Sequence, residues 1–536
     1  MDTDNAAQAE QAVLNTGGEY ERERVPEKAR LGFKDFVGMY AGEHCAGTEL
    51  MIGPLFVAAG VSAFDVVGGL VVGNLLAVLS WMLLCAPIAV RVRLTLYYQL
   101  EKICGRNLVI LYNLVNGIMF CFLAGAMITV SATAVGVWFD FPMPALNDLY
   151  PNSVGWVLAV LVVGALIAVV AAFGYKMVAK FANIAAPWMV LVFLVFGVVG
   201  IREFIIATDT SVNSMSDLWA MANTFIWKGG DPLPGQVKFT FWHVTFFAWF
   251  ANMAMHVGMA DLSVFRFARK PWYSVASASG MYVGHFMAWL AASILYALQL
   301  HLDASNTDVL PGPLAFRAAG LAGLFCVIIA GWTTANPTIY RAGLAFQAIM
   351  PKTARFKVTL VTGAIATVAG LFPAIAMQLL GFVALYGLIL MPMGAVIFVD
   401  FWLMERLGLK SCYAELKQIK FAMAPAIAWV VTVIVCLTLV KSGIVYFQIF
   451  FVALPGWFLA ALLYILVSFI IQKDVHRTSH FMSTAQLVSW IALSGVTLPS
   501  FLALAGVVDL LQVKTLMLVS TLLWFIATPL WMGRKA

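Results

Sequence analysis

Residues 41–53 read AGEHCAGTELMIG and lie inside the first long apolar stretch of the chain. Glu43, His44 and Glu49 stand near the middle of this stretch. An ionisable side chain at the centre of a membrane helix costs about 2.5 to 3.5 kcal/mol on insertion scales, and it usually faces a polar cavity, a partner or an ion path. We therefore expect a broken helix whose charges are tolerated because it faces a wet or occupied cavity.

The composition indicates an integral membrane protein. Hydrophobic residues make up 62% of the chain and charged residues 11%, whereas a soluble domain averages roughly 25% charged residues. Residues 1–33 are polar and contain no apolar signal-peptide core, so we expect a cytoplasmic tail. The seven cysteines form no C-x-x-C pair, which predicts neither a disulfide framework nor a zinc site.

Hydropathy predicts an all-α protein with about fourteen membrane spans. Most of the apolar segments reach the ~20 residues that a helix needs to cross ~30 Å of hydrocarbon. The fourteen segments lie near residues 36–61, 64–90, 107–138, 155–173, 178–201, 241–265, 273–300, 318–348, 357–374, 378–404, 422–440, 444–472, 485–506 and 514–532.

The positive charges predict the topology. When the N-terminus is placed in the cytoplasm, all but six of the 32 Lys and Arg residues lie on the cytoplasmic side. The six exceptions are Arg202, Lys228, Lys238, Arg317, Lys441 and Lys514. This bias follows the positive-inside rule, and it predicts a plasma (inner) membrane protein with both termini in the cytoplasm. The net charge of +6 is therefore topological and does not predict a nucleic-acid partner.

The spans divide into two predicted repeats and an accessory part. Residues 202–240 are expected outside, as a short amphipathic helix followed by a Gly/Pro turn. They separate five spans in residues 34–201 from five in residues 241–405, and an odd number of spans gives the halves opposite orientation. Inverted repeats of this kind are a common transporter architecture. Residues 406–536 are expected to add four accessory spans, whose role the sequence does not reveal.

The first span of each predicted repeat contains a histidine followed five residues later by an acid. These pairs are His44 with Glu49, and His256 with Asp261. Glycines in both segments make unwinding easier, freed carbonyls can coordinate a cation, and a half-helix N-terminus can hold a polar solute group. The glycines to which we assign this role are Gly42, Gly47 and Gly258.

Within the eighth span, residues 328–344 read IIAGWTTANPTIYRAGL. Pro337 removes a helical donor and predicts a kink that frees carbonyls upstream. Together with the hydroxyls of Thr333 and Thr334, such carbonyls form a hard oxygen set suited to a small cation. The alternative is that the two hydroxyls only bond back to carbonyls of their own helix.

Residues 332–344, WTTANPTIYRAGL, resemble the eighth-helix pattern of the cytosine permease and hydantoin permease family of nucleobase–cation symporters. Residues 25–54, VPEKARLGFKDFVGMYAGEHCAGTELMIGP, look like its N-terminal lead-in and broken first helix. Residues 258–270, GMADLSVFRFARK, and residues 71–76, VVGNLL, also agree. The resemblance covers about residues 25–405.

This resemblance implies a leucine-transporter-type fold of five plus five helices in an inverted repeat, with a sodium or proton site between the first and eighth helices. The residues implied as cation ligands are Gly42, Cys45, Ala330, Thr333 and Thr334. Asn336 would face the substrate.

The chain departs from the family where the substrate would bind. The third helix of the family usually offers a Trp that stacks on a planar ring, but residues 113–125 hold Phe120 and Phe122 instead. The charged residues of the first break replace apolar or small ones, and two extra residues separate the acid and the Arg after the sixth helix. The candidate substrate-binding residues are His44, Glu49, Phe120, Trp249, Asn252 and Asn336. Trp249 could equally face lipid, and Asp261 with Arg266 could form a gate or a structural ion pair.

The resemblance implies secondary active symport of a nucleobase or related heterocycle by alternating access, with sodium favoured over a proton as coupling ion and no cofactor. The expected partners are a small-molecule solute, the coupling cation and the lipid bilayer. One alternative is an amino acid or organic amine bound by the Glu/His cluster, with proton coupling. A channel is less favoured, because no repeated filter sequence appears. An intramembrane enzyme is less favoured, because the pairs His44 with Glu49 and His256 with Asp261 lack the spacing of the metal-binding motif H-E-x-x-H. The sequence names neither the solute nor the oligomeric state.

The predicted topology can be tested by cysteine labelling. A cysteine introduced near Ser214 should react with a membrane-impermeant reagent from outside, and one near Gln418 from the cytoplasmic side. The native protein gives the background of its own cysteines. Equal sidedness at both positions would contradict the fourteen-span topology.

Overall fold

A computed structural model of the chain describes residues 19–145, 148–377, 379–443, 448–472, 484–504 and 508–532. Their α-helices are α1 (Phe33–His44), α2 (Glu49–Ala58), α3 (Ala63–Ser80), α4 (Ala86–Val92), α5 (Leu96–Cys104), α6 (Arg106–Phe139), α7 (Val154–Ala172), α8 (Tyr175–Thr208), α9 (Met215–Met221), α10 (Phe241–Phe250), α11 (Met253–His256), α12 (Leu262–Phe265), α13 (Met287–Leu302), α14 (Pro311–Ile349), α15 (Arg355–Ala369), α16 (Ala374–Met377), α17 (Leu379–Trp402), α18 (Tyr413–Leu416), α19 (Met423–Lys441), α20 (Ile449–Ile471), α21 (Thr484–Leu504) and α22 (Leu510–Met532).

The long helices identify a multi-pass integral membrane protein. Ten helical segments of the described residues are long and apolar enough to cross a membrane. Four predicted spans are absent from these ten: those at 36–61 and 241–265, each of which is interrupted, and those at 357–374 and 485–506. The count of fourteen, the inverted-repeat layout and the predicted domain boundaries stay predictions.

Both expected helix breaks are present. The first separates α1 from α2, and the second divides the sixth segment into α10, α11 and α12. Two π-helical segments, Trp81–Cys85 and Ser279–Phe286, lie within the second and seventh predicted spans. Such π segments often occur at functional sites.

The segment predicted to lie outside and the eighth predicted span can both be compared with the structure. In residues 202–240, Ser214 caps the short helix α9 by accepting a hydrogen bond from Asp217 N at 3.2 Å, as the sequence predicted for a short helix in this loop. In α14, the backbone stays helical past Pro337, and the kink expected there stays a prediction. The residues with non-helical dihedral angles are Ala319 and Gly320, and the φ of +55° at Gly320 suits glycine.

The chain forms two compact units, of which the first comprises Met1–Val78, Asn113–Trp249 and Phe267–Val383. In this unit α1 packs on α8, α2 on α13, and α14 on α8 and α15. Its hydrophobic core includes Cys45, Phe193 and Ala330, so the core lies directly around the first break.

The second unit comprises Leu79–Tyr112, Phe250–Arg266 and Ala384–Ala536. In this unit α19 packs on α20 and α21 on α22. Asp400, which is 1% exposed, accepts hydrogen bonds from Tyr464 Oη at 2.8 Å and from Cys412 N at 3.0 Å. This carboxylate ties the end of α17 to α20 and to the following loop.

Gly53 offers a test of the packing between α2 and α13. A Cβ at Gly53 would lie 2.5 Å from Trp289 O and 2.6 Å from Ala292 Cβ. Because backbone stands in the way, Gly53→Ala should lower the free energy of unfolding by about 1–3 kcal/mol, measured as a lower Tm. Gly197→Ala is the matched control, since its Cβ would meet Ala291 of the same helix α13 at an ordinary 3.5 Å. Equal Tm values for both variants would contradict this packing.

Candidate cation and solute site at the first helix break

The break between α1 and α2 is a short unwound segment. Helix α1 ends with the bond from Cys45 N to Ala41 O at 2.9 Å, and α2 begins with Glu49. Gly47 lies in between, and a Cβ there would come within 2.7 Å of Val130 Cγ1. Glycine is therefore needed here for close approach to a neighbouring helix, in addition to ease of unwinding.

Two hydroxyls of α14 reach the unwound end of α1. Thr333 Oγ1 lies 2.7 Å from Gly42 O, and Thr334 Oγ1 lies 3.0 Å from Glu43 O. Both hydroxyls also lie near Ala330 O, at 3.1 Å and 2.9 Å. Each hydroxyl has one proton and can donate to only one of its two carbonyls. Each hydroxyl thus lies within hydrogen-bond distance of a carbonyl of its own helix and of a carbonyl of α1, and five oxygen atoms are grouped here.

This oxygen cluster (Gly42 O, Glu43 O, Ala330 O, Thr333 Oγ1 and Thr334 Oγ1) includes one atom that the sequence did not predict. The carbonyl of Glu43 contacts Thr334, whereas Cys45 stays a predicted ligand. Pro337 lacks an N–H, so the Thr333 carbonyl loses its usual helical donor although the helix continues.

The negative charge of Glu43 is compensated by the side chain of Arg341. Arg341 Nη1 lies 2.6 Å from Glu43 Oε1, and Nη2 lies 3.3 Å from Oε2, which makes a bidentate ion pair. The two side chains are 1% and 7% exposed. The expectation that a wet or occupied cavity tolerates this charge is therefore wrong for Glu43, because a buried guanidinium compensates it.

Glu49 also has protein partners, from the seventh predicted span. Trp289 Nε1 donates to Glu49 Oε2, and His285 Nε2 lies 3.6 Å from Glu49 Oε1. The ring of His44 lies edge-on to that of His285 at 4.7 Å, and His44 Nδ1 lies 2.8 Å from Tyr40 O. His285, which the sequence analysis did not single out, therefore belongs to the same cluster as His44 and Glu49.

Two glycines bring this cluster together. A Cβ at Gly284 would lie 2.6 Å from His44 O, and one at Gly280 would lie 2.6 Å from His44 Nδ1. The π-helical segment Ser279–Phe286 thus lets the end of α1 rest against its backbone. His285 belongs to the same π-helical segment and lies 3.6 Å from Glu49 Oε1.

The second break repeats this chemistry. Trp81 Nε1 donates to Asp261 Oδ2 at 2.7 Å, and the ring of Trp81 lies 4.6 Å from that of His256. Trp81 begins the π-helical segment of the second predicted span. Each histidine–acid pair that the sequence singled out therefore has its acid bonded to an indole near a π-helical segment.

Of the remaining site candidates, Asn336, Phe120 and Trp249 are buried and Asn252 is half-buried. Asn336 is fully buried, and neither atom of its side-chain amide has a hydrogen-bond partner within the described ranges. The Nδ2 atom of Asn252 is also buried and has no hydrogen-bond partner among the described residues. Phe120 is fully buried, and Trp249 is 1% exposed with its ring 5.8 Å from that of Phe246. The alternative that Trp249 faces lipid is therefore wrong.

Asp261 and Arg266 flank the short helix α12 and are both fully buried. Arg266 Nε donates to Ser263 O at 3.0 Å. A gating or structural pair between Asp261 and Arg266 stays a prediction. In the described ranges, no three or more His, Cys, Asp or Glu side chains are grouped so as to hold a metal ion.

The indole–carboxylate contact can be tested by removing the donor. Trp289→Phe leaves Glu49 buried without its indole partner, so it should lower the free energy of unfolding by about 1–3 kcal/mol, seen as a lower Tm. Trp188→Phe, at an exposed position of α8, should change Tm little. If Glu49→Gln and Trp289→Phe were fully additive in the double variant, the contact would be refuted.

Known structures share this fold. The chain matches Mhp1, a nucleobase-cation-symport-1 family transporter in a closed conformation with bromovinylhydantoin bound, at 15% identity and a TM-score of 0.63, over 87% of this chain and 98% of that chain. It matches the substrate-bound outward-open state of a Na+-coupled sialic acid symporter at 14% identity and a TM-score of 0.56, over 88% and 97% of the two chains. Inward-facing Mhp1 matches at 15% identity and a TM-score of 0.56, over 84% and 93%. No protein-family model and no curated protein matches the chain. The chain thus has the fold of Mhp1, which confirms the predicted resemblance at the level of the fold.

Proposed function

We propose that this protein is a secondary active transporter that couples the uptake of a small polar solute to a cation by alternating access. The observation that carries the proposal is the oxygen cluster, where Thr333 and Thr334 contact the carbonyls of α1 at its break. A cation bound there would hold α1 against α14, so its arrival and departure would bias the conformation of the broken helix.

The oxygen cluster favours sodium as the coupling ion. Its five atoms are neutral carbonyl and hydroxyl oxygens, which suit a hard monovalent cation. Calcium sites usually add carboxylate ligands, and a proton needs a titratable group. The Glu43 side chain points to Arg341 instead. The cluster thus offers sodium neutral oxygen ligands, and the opposite charges of Glu43 and Arg341 beside it cancel.

Asn336 supports a planar polar solute. Its buried amide has an unused donor and an unused acceptor within the described ranges, and leaving such groups unpaired costs about 1–3 kcal/mol each. A nucleobase or related heterocycle offers the complementary acceptor and donor on one ring edge. Phe120 supplies an aromatic side chain in the helix where the family usually has Trp. The bromovinylhydantoin bound to Mhp1 belongs to the same broad chemical class.

The second candidate is an amine or amino acid bound near Glu49. It is favoured by the buried carboxylate, whose Oε1 is 3.6 Å from His285 Nε2. Calorimetry on Glu49→Gln decides between the two, because a cationic solute should lose binding while a neutral heterocycle keeps it. Unchanged affinity for every solute would leave Glu49 with a structural role only.

The solute class is tested by thermal unfolding of the purified protein with nucleobases, hydantoins, amino acids and amines, each with and without sodium. A solute that binds the native state raises the Tm by mass action. We expect a heterocycle to raise it, and to raise it more in sodium. A response confined to amines would favour the second candidate.

The cation site is tested by Thr333→Ala and Thr334→Ala. Each variant removes one hard oxygen ligand, so the sodium concentration for half-maximal uptake should rise roughly tenfold or more, as for the loss of about 1.4 kcal/mol. Thr438→Ala is the control, since this hydroxyl donates to Ile434 O of its own helix α19 at 2.8 Å, at an exposed position. An unchanged sodium requirement in both Thr333→Ala and Thr334→Ala would refute the site.

A further inference from the structure

We infer that Glu43 and Arg341 each change the cation affinity of the oxygen cluster through their charges, that the two charges act in opposite directions, and that their ion pair keeps the two effects in balance. This inference rests on the proposed function, because it assumes that the oxygen cluster binds the coupling cation. It assigns a role to two charged side chains that contribute no side-chain atom to the cluster.

The pair is joined directly to the cluster. Glu43 supplies its backbone carbonyl to the cluster, 3.0 Å from Thr334 Oγ1, and its side chain to Arg341. Arg341 follows Thr334 by seven residues on α14, which is two helical turns and about 10 Å along the same face. The guanidinium reaches back toward Glu43, so both charges lie within about 10 Å of the cluster.

The pair is also shielded from water. The Arg341 and Glu43 side chains are 1% and 7% exposed, and Thr338 fills the helical turn between Thr334 and Arg341 with its Oγ1 2.8 Å from Thr334 O. Charges in such a place are screened far less than charges at a surface. A cation in the cluster therefore interacts with each member of the pair.

The signs of these interactions are opposite. The Arg341 guanidinium repels a bound cation and the Glu43 carboxylate attracts it, and in the native pair the two effects largely cancel. At a separation of about 10 Å and an effective dielectric constant of about 20, one uncompensated charge changes cation affinity roughly tenfold. If the ion pair only stabilised the packing of the helices, the two single variants would not shift cation affinity in opposite directions. Loss of either side chain would then weaken cation binding.

Sodium titrations of the purified full chain test the inference. Thermal unfolding is followed against sodium chloride, with choline chloride keeping the ionic strength constant. The half-maximal sodium concentration should rise about tenfold in Glu43→Gln and fall about tenfold in Arg341→Gln. In the double variant it should return to within about threefold of the native value. Weaker sodium binding in both single variants, or no change in either, would overturn the inference.

A second comparison covers the case in which Arg341→Gln alone does not fold. The double variant is then compared with Glu43→Gln, since removing the arginine charge from that background should raise sodium affinity about tenfold. Arg317→Gln is the matched control on α14, because Arg317 makes an exposed pair with Glu203 at 3.2 Å, and its sodium titration should be native. Equal affinities for Glu43→Gln and the double variant would overturn the inference.

The outcomes separate this inference from the proposed function. Loss of sodium binding in Thr334→Ala without opposite shifts in the charge variants would support the site and refute the charge effect. A native chain without a sodium response, beside an Arg341→Gln variant that gains one, would support the charge effect and refute sodium as the native coupling ion. No response in any variant would overturn both.

Discussion

A helix that unwinds at membrane depth must find partners for the backbone groups it frees, because hydrocarbon offers none. In this protein two adjacent hydroxyls of α14 meet the last carbonyls of α1, and glycines allow the unwound segment to lie close to its neighbours. The candidate cation site is thus formed by the same contacts that make the break tolerable. A cation there would substitute for hydrogen bonds that the protein alone shares imperfectly, since two protons serve more than two carbonyls.

The acids at the breaks are stabilised by specific donors. Glu49 and Asp261 each accept an indole N–H, from Trp289 and Trp81, and Glu43 is paired with Arg341. An indole is a donor only, so it satisfies a carboxylate without adding a charge. An acid, a histidine and an indole thus occur together at both breaks.

The parts predicted from sequence are those with local signals. Glycines and polar residues within a few positions marked the breaks, and the adjacent hydroxyls of Thr333 and Thr334 marked the oxygen cluster. The partners of the acids lie far along the chain: Arg341 is 298 residues from Glu43, and Trp289 is 240 residues from Glu49. In the sequence Arg341 is one more positive charge near a cytoplasmic helix end, and Trp289 one more aromatic in an apolar span.

The glycines at 280 and 284 have a consequence for the energetics of movement. The end of α1 rests there against bare backbone rather than among interlocking side chains. Separating such surfaces frees few side-chain rotamers, and bringing them together immobilises few. The change in side-chain conformational entropy is therefore small in both directions. Side-chain entropy therefore contributes little to the free-energy difference between docked and undocked positions of α1. In the proposed transport cycle, that difference would then depend mainly on the occupancy of the nearby site by an ion or solute.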